Sequence, residues 1–258
     1  MSYTRFVIIS HLRSGTHLLR TLLESHPEIV CQTEVFNSDN PNLPYPLSTP
    51  TLEILDQWVF RDFPTSITCV GFVLQAYHPW GLKAFPGIRE NPDWANIWPM
   101  LENMPGLRII HLHRENLLRR HLSHVMARST GNWHHWDSDK VAAVSHLEQP
   151  PLKNPARNER PRVKLDADKL RLDFEEIEQL HQQVTDRFKT QNYFPLGYEQ
   201  LCTEPGVTAK ALLQFLEVTE VPLHAAVSKL EDRSLSDSIE NYDELKQAFA
   251  DSRWKQFF

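Results

Sequence analysis

Short apolar runs alternate along the chain with segments whose apolar residues recur at helical spacing. Phe6-Val7-Ile8-Ile9 is continuous, partly β-branched and followed by a Ser-Gly turn. It predicts a strand buried on both faces. Leu18, Leu19, Leu22 and Leu23 then share one helical face that stops before Pro27, giving the order strand, turn, helix. Ile29-Val30-Cys31 predicts a second short strand ending at Gln32-Thr33-Glu34, followed by an Asn-, Pro- and Ser-rich loop from Asn37 to Pro50. Residues 67–74 and 107–113 read as further strands, and Arg114 opens a helical segment through about Arg128 with Leu117, Leu118, Leu122, Val125 and Met126 on one side. Residues 129–162 break into Trp, His, Pro and charge, the pattern of an irregular lid or acceptor loop. Leu170, Phe174, Ile177, Leu180, Val184 and Phe188 predict a long amphipathic helix capped at Asp166 or Asp168. A last strand is expected over 194–198, and a further helix near Pro205 carries Leu212, Leu213, Phe215 and Leu216.

This alternation implies an α/β fold with a central parallel sheet flanked by helices, a class that binds ligands beyond the C-terminal ends of its strands. The turns at Arg13, Glu34, His78 and Arg114 should then gather along one edge. Composition narrows the function. At 258 residues, 41% hydrophobic and 23% charged, one domain spanning 1–258 is the default. The formal net charge of −6 argues against a generally basic nucleic-acid binder. No apolar stretch reaches the roughly 18 residues of a membrane helix, and the N-terminus lacks a targeting pattern. Cys31, Cys69 and Cys202 have no C-x-x-C spacing, which fits a reducing compartment. A cytoplasmic protein with no membrane or nucleic-acid partner is therefore expected, with a homodimer left open.

The turn Arg13-Ser14-Gly15-Thr16-His17-Leu18 joins a strand to a helix, so backbone N–H groups and the positive helix end converge there. Gly15 permits close approach, Ser14 and Thr16 supply hydroxyls, and Arg13 adds a permanent charge. The natural occupant is a phosphate-like anion; the alternative is a plain helix cap with a solvated arginine. No Lys follows Gly15, so the Walker pattern G-x-x-x-x-G-K-[ST] is absent. A P-loop small-molecule kinase and a non-catalytic nucleotide-binding protein remain as alternatives.

Several separated stretches together resemble the sulfotransferases that use 3′-phosphoadenosine 5′-phosphosulfate (PAPS), in particular the bacterial carbohydrate and small-molecule branch that includes nodulation-factor and trehalose sulfotransferases. Arg13-Ser14-Gly15-Thr16 is similar to the family's 5′-phosphosulfate loop, and Gln32-Thr33-Glu34 to the strand bearing its Glu. Residues 108–123 resemble the 3′-phosphate segment, Tyr198-Glu199-Gln200-Leu201 the late strand, and Ile239-Glu240-Asn241-Tyr242 the C-terminal segment. The resemblance implies a three-layer P-loop-like fold, PAPS as donor and 3′-phosphoadenosine 5′-phosphate (PAP) as product. It implies a hydroxyl, amine or guanidine acceptor on a small polar metabolite, natural product or carbohydrate. It assigns Arg13, Ser14, Gly15, Thr16, His17 and Leu18 to the 5′ end of the donor, and Arg114 and Ser123 to the 3′-phosphate. The Arg114 to Ser123 spacing is one residue longer than in animal cytosolic members.

Glu34 and His78 are rival general bases: the first ends a strand where bacterial members carry a Glu, the second follows the third strand where cytosolic animal members carry a His. Arg13 would stabilise charge on the departing phosphate electrostatically, since guanidinium stays protonated. Val73 stands where many relatives have Lys, a function Lys83 or Arg89 could replace. Tyr77, Trp80, Trp133, His134, His135 and Trp136 are candidates for the acceptor pocket or for a satellite core, and Asp137 with Asp139 would tolerate a cationic acceptor. Sulfuryl transfer requires no metal, and none is expected: His111 and His113 share one strand face, but no third ligand is evident.

Overall fold

The leading apolar run forms β1 (Thr4–Ser10) at the centre of a five-stranded sheet of order β2-β3-β1-β4-β5. Its neighbours are β2 (Ile29–Glu34), β3 (Cys69–Gln75), β4 (Arg108–His113) and β5 (Asn192–Gly197), and every pairing is parallel. The computed structural model describes residues 3–40, 43–77, 92–131, 133, 161–227 and 233–258. Val7 and Ile9 enter one core, with Phe72, Trp94 and Phe188; Phe6 and Ile8 enter the other, with Leu19, Leu23 and Leu213. Each face is thus covered, which is why β1 carries apolar residues at consecutive positions. Gly71 pairs with Phe6 across β1 and β3, and a Cβ there would lie 2.5 Å from the Phe6 ring. The missing side chain makes room for the Phe6 ring.

The four helices that periodicity predicts form with informative shifts at their ends, and shorter ones join them among the described residues. In chain order they are α1 (Thr16–Glu24), α2 (Thr51–Glu53, continuing as a π turn), α3 (Ile97–Glu102), α4 (Leu117–Thr130), α5 (Ala167–Phe188), α6 (Tyr198–Thr203), α7 (Pro205–Leu216), α8 (Leu235–Ser238) and α9 (Tyr242–Ala248). Asp166 caps α5 by accepting from the N–H of Asp168 and Lys169, as its acidic start suggested. Helix α4 begins at Leu117 and not at Arg114, because Asn116 is extended and its side chain accepts from Arg119 N–H. The same helix continues to Thr130 and ends on Gly131 at φ 68°, so residues 129 and 130 are helical and not part of an irregular loop. Most of the remaining predicted lid lies outside the described residues, as do His78, Trp80, Lys83, Arg89, His134, His135, Trp136, Asp137 and Asp139. The expected strand 194–198 also changes: β5 stops at Gly197 and Tyr198 opens α6.

The C-terminal Ile239-Glu240-Asn241-Tyr242 stretch acts as a strap. Asn241 donates to Leu165 carbonyl at 2.9 Å and accepts from Leu165 N–H at 3.0 Å, while Ile239 bridges Val163. It fixes the segment that enters α5 and packs with Phe174, Phe249 and Trp254 in a third core.

Arg120 and Asp173 are fully buried and paired, binding α4 to α5. His121 adds a contact to the same carboxylate at 2.8 Å, and Arg120 donates to the Leu12 carbonyl at 3.2 Å. Burial alone would raise the Asp173 pKa, but Arg120 and His121 overcome it and hold it below the usual range. The Arg120 side chain therefore braces the turn after β1 instead of joining a solvated basic face. Asp173→Ala strands a buried guanidinium, and urea unfolding should show a loss of about 3–5 kcal/mol. A loss under about 1 kcal/mol, that of an exposed pair, would contradict this account.

Candidate active site

The chain leaves β1 to the left, through α1 to β2, and leaves β4 to the right, through α4 and α5 to β5. The crevice between these diverging exits is the topological switch point where such sheets bind ligands. After β1, Arg13 at φ 64° and Gly15 at φ 90° are both left-handed, and Ser14 N–H closes the turn onto His11 carbonyl at 3.1 Å. Left-handed backbone at a non-glycine residue costs energy and concentrates at functional sites. Gly15 caps α1 with no side chain to engage the first-turn amides of Thr16, His17 and Leu18. A Cβ at Gly15 would overlap the Tyr198 ring. Ser14 is fully buried and its hydroxyl has no hydrogen-bond partner. Such a group is costly unless a ligand supplies the missing contact.

At the second exit, Arg114 Nη1 donates to the Arg13 carbonyl at 3.4 Å, and its guanidinium lies 4.6 Å from the Tyr198 ring centroid. Arg13 Nε donates to Ser123 Oγ on α4 at 3.1 Å, and Nη1 to Trp133 carbonyl at 2.7 Å. Arg13, Arg114 and Ser123 thus form one cluster. Burial lowers the Arg13 pKa to about 10, and the neighbouring Arg114 cation adds to the shift; burial also lowers that of Arg114. Both remain protonated at neutral pH. Two buried guanidiniums side by side repel, and an anion between them relieves that repulsion. Glu199 accepts from the N–H of Glu115 at 3.0 Å and Asn116 at 3.2 Å. With Asn116 capping Arg119, the amides of Glu115, Asn116 and Arg119 are already satisfied by the protein.

Glu34 reaches the site through a β-bulge. Gln32 pairs with Phe72 but Glu34 with Val73, so Thr33 is the extra residue and Glu34 takes the position that strict alternation would give to Thr33. Gln75 Nε2 donates to Glu34 Oε1 at 2.6 Å and Asn37 Nδ2 to Oε2 at 3.0 Å. Gln75 also accepts from Ser10 Oγ at 3.2 Å, and Ser10 Oγ lies 2.9 Å from Thr16 Oγ1. The carboxylate is therefore wired to the first helical residue of the anion loop. Burial raises the Glu34 pKa, against the opposing pull of the Gln75 and Asn37 donors and the Arg13 charge. A raised carboxyl pKa in a cleft suits proton abstraction near neutrality.

Of the sequence candidates, Arg13, Ser14, Gly15, Thr16, His17, Leu18, Glu34, Arg114 and Ser123 occupy this cluster of strand exits; His78 lies outside the described residues. Tyr77 is buried and Val73 is a core residue. Trp133 stays 39% exposed beside Arg13, with its ring centroid 5.8 Å from the guanidinium. The sequence reading missed Ser10, Gln75 and Tyr198 as site residues. Ser10 and Gln75 had a signal, since each is a polar residue closing an apolar strand; Tyr198 had none that periodicity could supply. A cavity of about 400 Å³ lined by Glu102, Gly106 and Gln191 opens near the N-terminal ends of β4 and β5, the opposite edge of the sheet.

The fold agrees with what comparison with known proteins shows. Residues 5–222 match the model of the sulfotransferase family. The chain belongs to the sulfotransferase family. This sulfotransferase is 30% identical to nodulation protein H of Rhizobium tropici, covering 98% of its own chain and 92% of that relative. It is 27% identical to nodulation protein H of Rhizobium meliloti, covering 98% and 94%. A sulfotransferase crystal structure from Alicyclobacillus acidocaldarius superposes with a TM-score of 0.51 over 97% of this chain and 92% of that one, at 18% identity, which supports the shared fold. Membership replaces the kinase reading, in agreement with the missing Walker lysine. The family implies PAPS as the sulfuryl donor. Among the described residues of the sulfotransferase, no helix is long and apolar enough to cross a membrane.

Proposed function

We propose that this sulfotransferase, acting as one domain, holds the two anionic ends of PAPS at neighbouring strand exits and passes the sulfuryl group to a hydroxyl or amine of a small polar metabolite, natural product or carbohydrate. The resemblance to the bacterial carbohydrate branch favours a carbohydrate-type acceptor. The observation that carries the donor assignment is the pair of buried guanidiniums, Arg13 and Arg114, beside the unpartnered Ser14 hydroxyl. The donor supplies a sulfuryl group on a phosphate leaving group. Ser14, Thr16 and the first-turn amides of α1 fit the 5′ end, and Arg114 with Ser123 the 3′-phosphate. Arg13 spans both, because it sits in the first loop while its Nε touches Ser123.

Glu34 is the general base in this reading. Its two oxygens are fixed by neutral amide donors, so the carboxylate is oriented without being neutralised by an ion pair. It takes the acceptor proton as the acceptor oxygen or nitrogen attacks sulfur. The arginines lower the cost of negative charge on the departing phosphate by electrostatics alone, in a buried setting where such charges are weakly screened. No metal is required for this step.

Mass spectrometry of acceptor pools incubated with protein and PAPS tests the function. Sulfated products that form only with intact protein support it; formation of PAP without any sulfated acceptor across oligosaccharide, alcohol and amine pools opposes it.

A further inference from the structure

Behind the anion loop, on the sheet face covered by α5, the fold brings together four histidines that sequence reading had left apart. The third ligand missing beside His111 is present twice over, in His11 from the turn after β1 and His181 from α5. One ring nitrogen each from His11, His111 and His181 lies within 4.8 Å of the others. The His111 and His181 ring centroids are 4.7 Å apart, and His113 lies 4.7 Å from His181 on the other side.

The hydrogen bonding of this cluster is incomplete. His11 is 1% exposed and neither ring nitrogen has a partner; His111 is fully buried and its Nε2 has none. His181 Nδ1 and His113 Nδ1 are likewise unpartnered. Orphaned imidazoles at this depth cost free energy that a shared cation would offset. The other nitrogen of His111, Nδ1, contacts Tyr193 hydroxyl at 2.6 Å, which also reaches Thr185 at 3.3 Å. A metal-ligating histidine typically has its second nitrogen fixed in this way. The nearby Arg120 charge is matched by Asp173.

We infer that His11, His111 and His181 form a structural site for a first-row divalent cation, zinc foremost, with water or His113 in the fourth position. All-nitrogen ligation suits zinc, cobalt, nickel or copper and disfavours magnesium or calcium. Ligand bonds of about 2.0–2.1 Å require the three nitrogens to draw together by about 1 Å, within reach of side-chain torsions. The cation would tie β1, β4 and α5 together two residues before the Arg13 turn begins, and the His11 carbonyl that accepts from Ser14 N–H links the two. Sulfuryl transfer is not routed through it, so this inference stands apart from the donor assignment.

The test uses untagged full-length protein, because a polyhistidine tag would compete. After zinc loading and exhaustive dialysis, elemental analysis should find one equivalent retained. Cobalt(II) loading should give the visible ligand-field absorption of a four-coordinate nitrogen site. His181→Ala, chosen because His181 is only partly buried, should weaken zinc binding at least about 100-fold and abolish the zinc-dependent rise in melting temperature. His224→Ala, at an exposed histidine, should change neither. Absence of both zinc retention and the cobalt band in the wild type, or equal retention in wild type and His181→Ala, overturns the site; an ordered water cluster would then satisfy these nitrogens.

Discussion

Gly15→Ala should lower PAP affinity by about 100-fold or more while leaving the protein folded. Two costs combine. An L-residue at φ 90° carries roughly 1–2 kcal/mol of strain. Its Cβ also overlaps the Tyr198 ring, so the loop must move and its charge-assisted hydrogen bonds, typically about 1.5–3 kcal/mol each, are lost or lengthened. About 3 kcal/mol in total corresponds to roughly 100-fold. Isothermal titration with PAP reads the affinity, and circular dichroism checks the fold. Removing the ring in the double variant Gly15→Ala/Tyr198→Ala should leave affinity impaired, because the φ strain persists and Arg114 loses its ring contact at 4.6 Å. Wild-type affinity in Gly15→Ala would mean that the loop does not hold the donor.

Glu34→Gln should reduce kcat by about 10²- to 10⁴-fold, the usual contribution of a general base, with PAP affinity within about twofold of wild type. The pH profile separates a base from a positioning residue. Burial raises the Glu34 pKa, so the wild-type rate should fall on the acid side with a midpoint above the ordinary glutamate value of about 4.3. The variant should lose that limb. The same shift has the opposite sign for stability: a folded-state pKa above the unfolded one favours the protonated form. The contribution of Glu34 is thus fully present below its unfolded pKa and declines as pH rises through the folded pKa. An unchanged acid limb in Glu34→Gln would return the base assignment to His78.

The sheet, both of its covered faces and the turn that follows β1 were legible in the sequence because each is a local signal. A two-sided strand reads as an unbroken apolar run, and a strand-Gly-helix junction reads as a turn. Legibility failed where tertiary partners decide. Tyr198 looked like a strand residue until Glu199 was seen holding the Glu115 and Asn116 amides, which requires α6 to start there. Glu34 was legible as a strand end and its role through resemblance, yet the bulge at Thr33 that sets its pairing register breaks the period-two pattern and cannot be read from alternation. Arg120 could not be told from a solvated arginine without Asp173, which lies on another helix. The histidine cluster is the extreme case, since His11 and His181 belong to a turn and a helix with no common motif.

The claim on which the assignment turns is that Arg13 and Arg114 together grip a nucleotide charged at both ends. Calorimetric titration of wild type and Arg114→Ala with PAP and with adenosine 5′-phosphate, which lacks the 3′-phosphate, tests it most directly. The wild type should prefer PAP by roughly 10- to 100-fold, as expected for one buried charge-assisted contact, and Arg114→Ala should lose most of that preference while binding adenosine 5′-phosphate nearly as before. Equal affinity of the wild type for the two nucleotides, or a preference that survives in Arg114→Ala, would contradict the account.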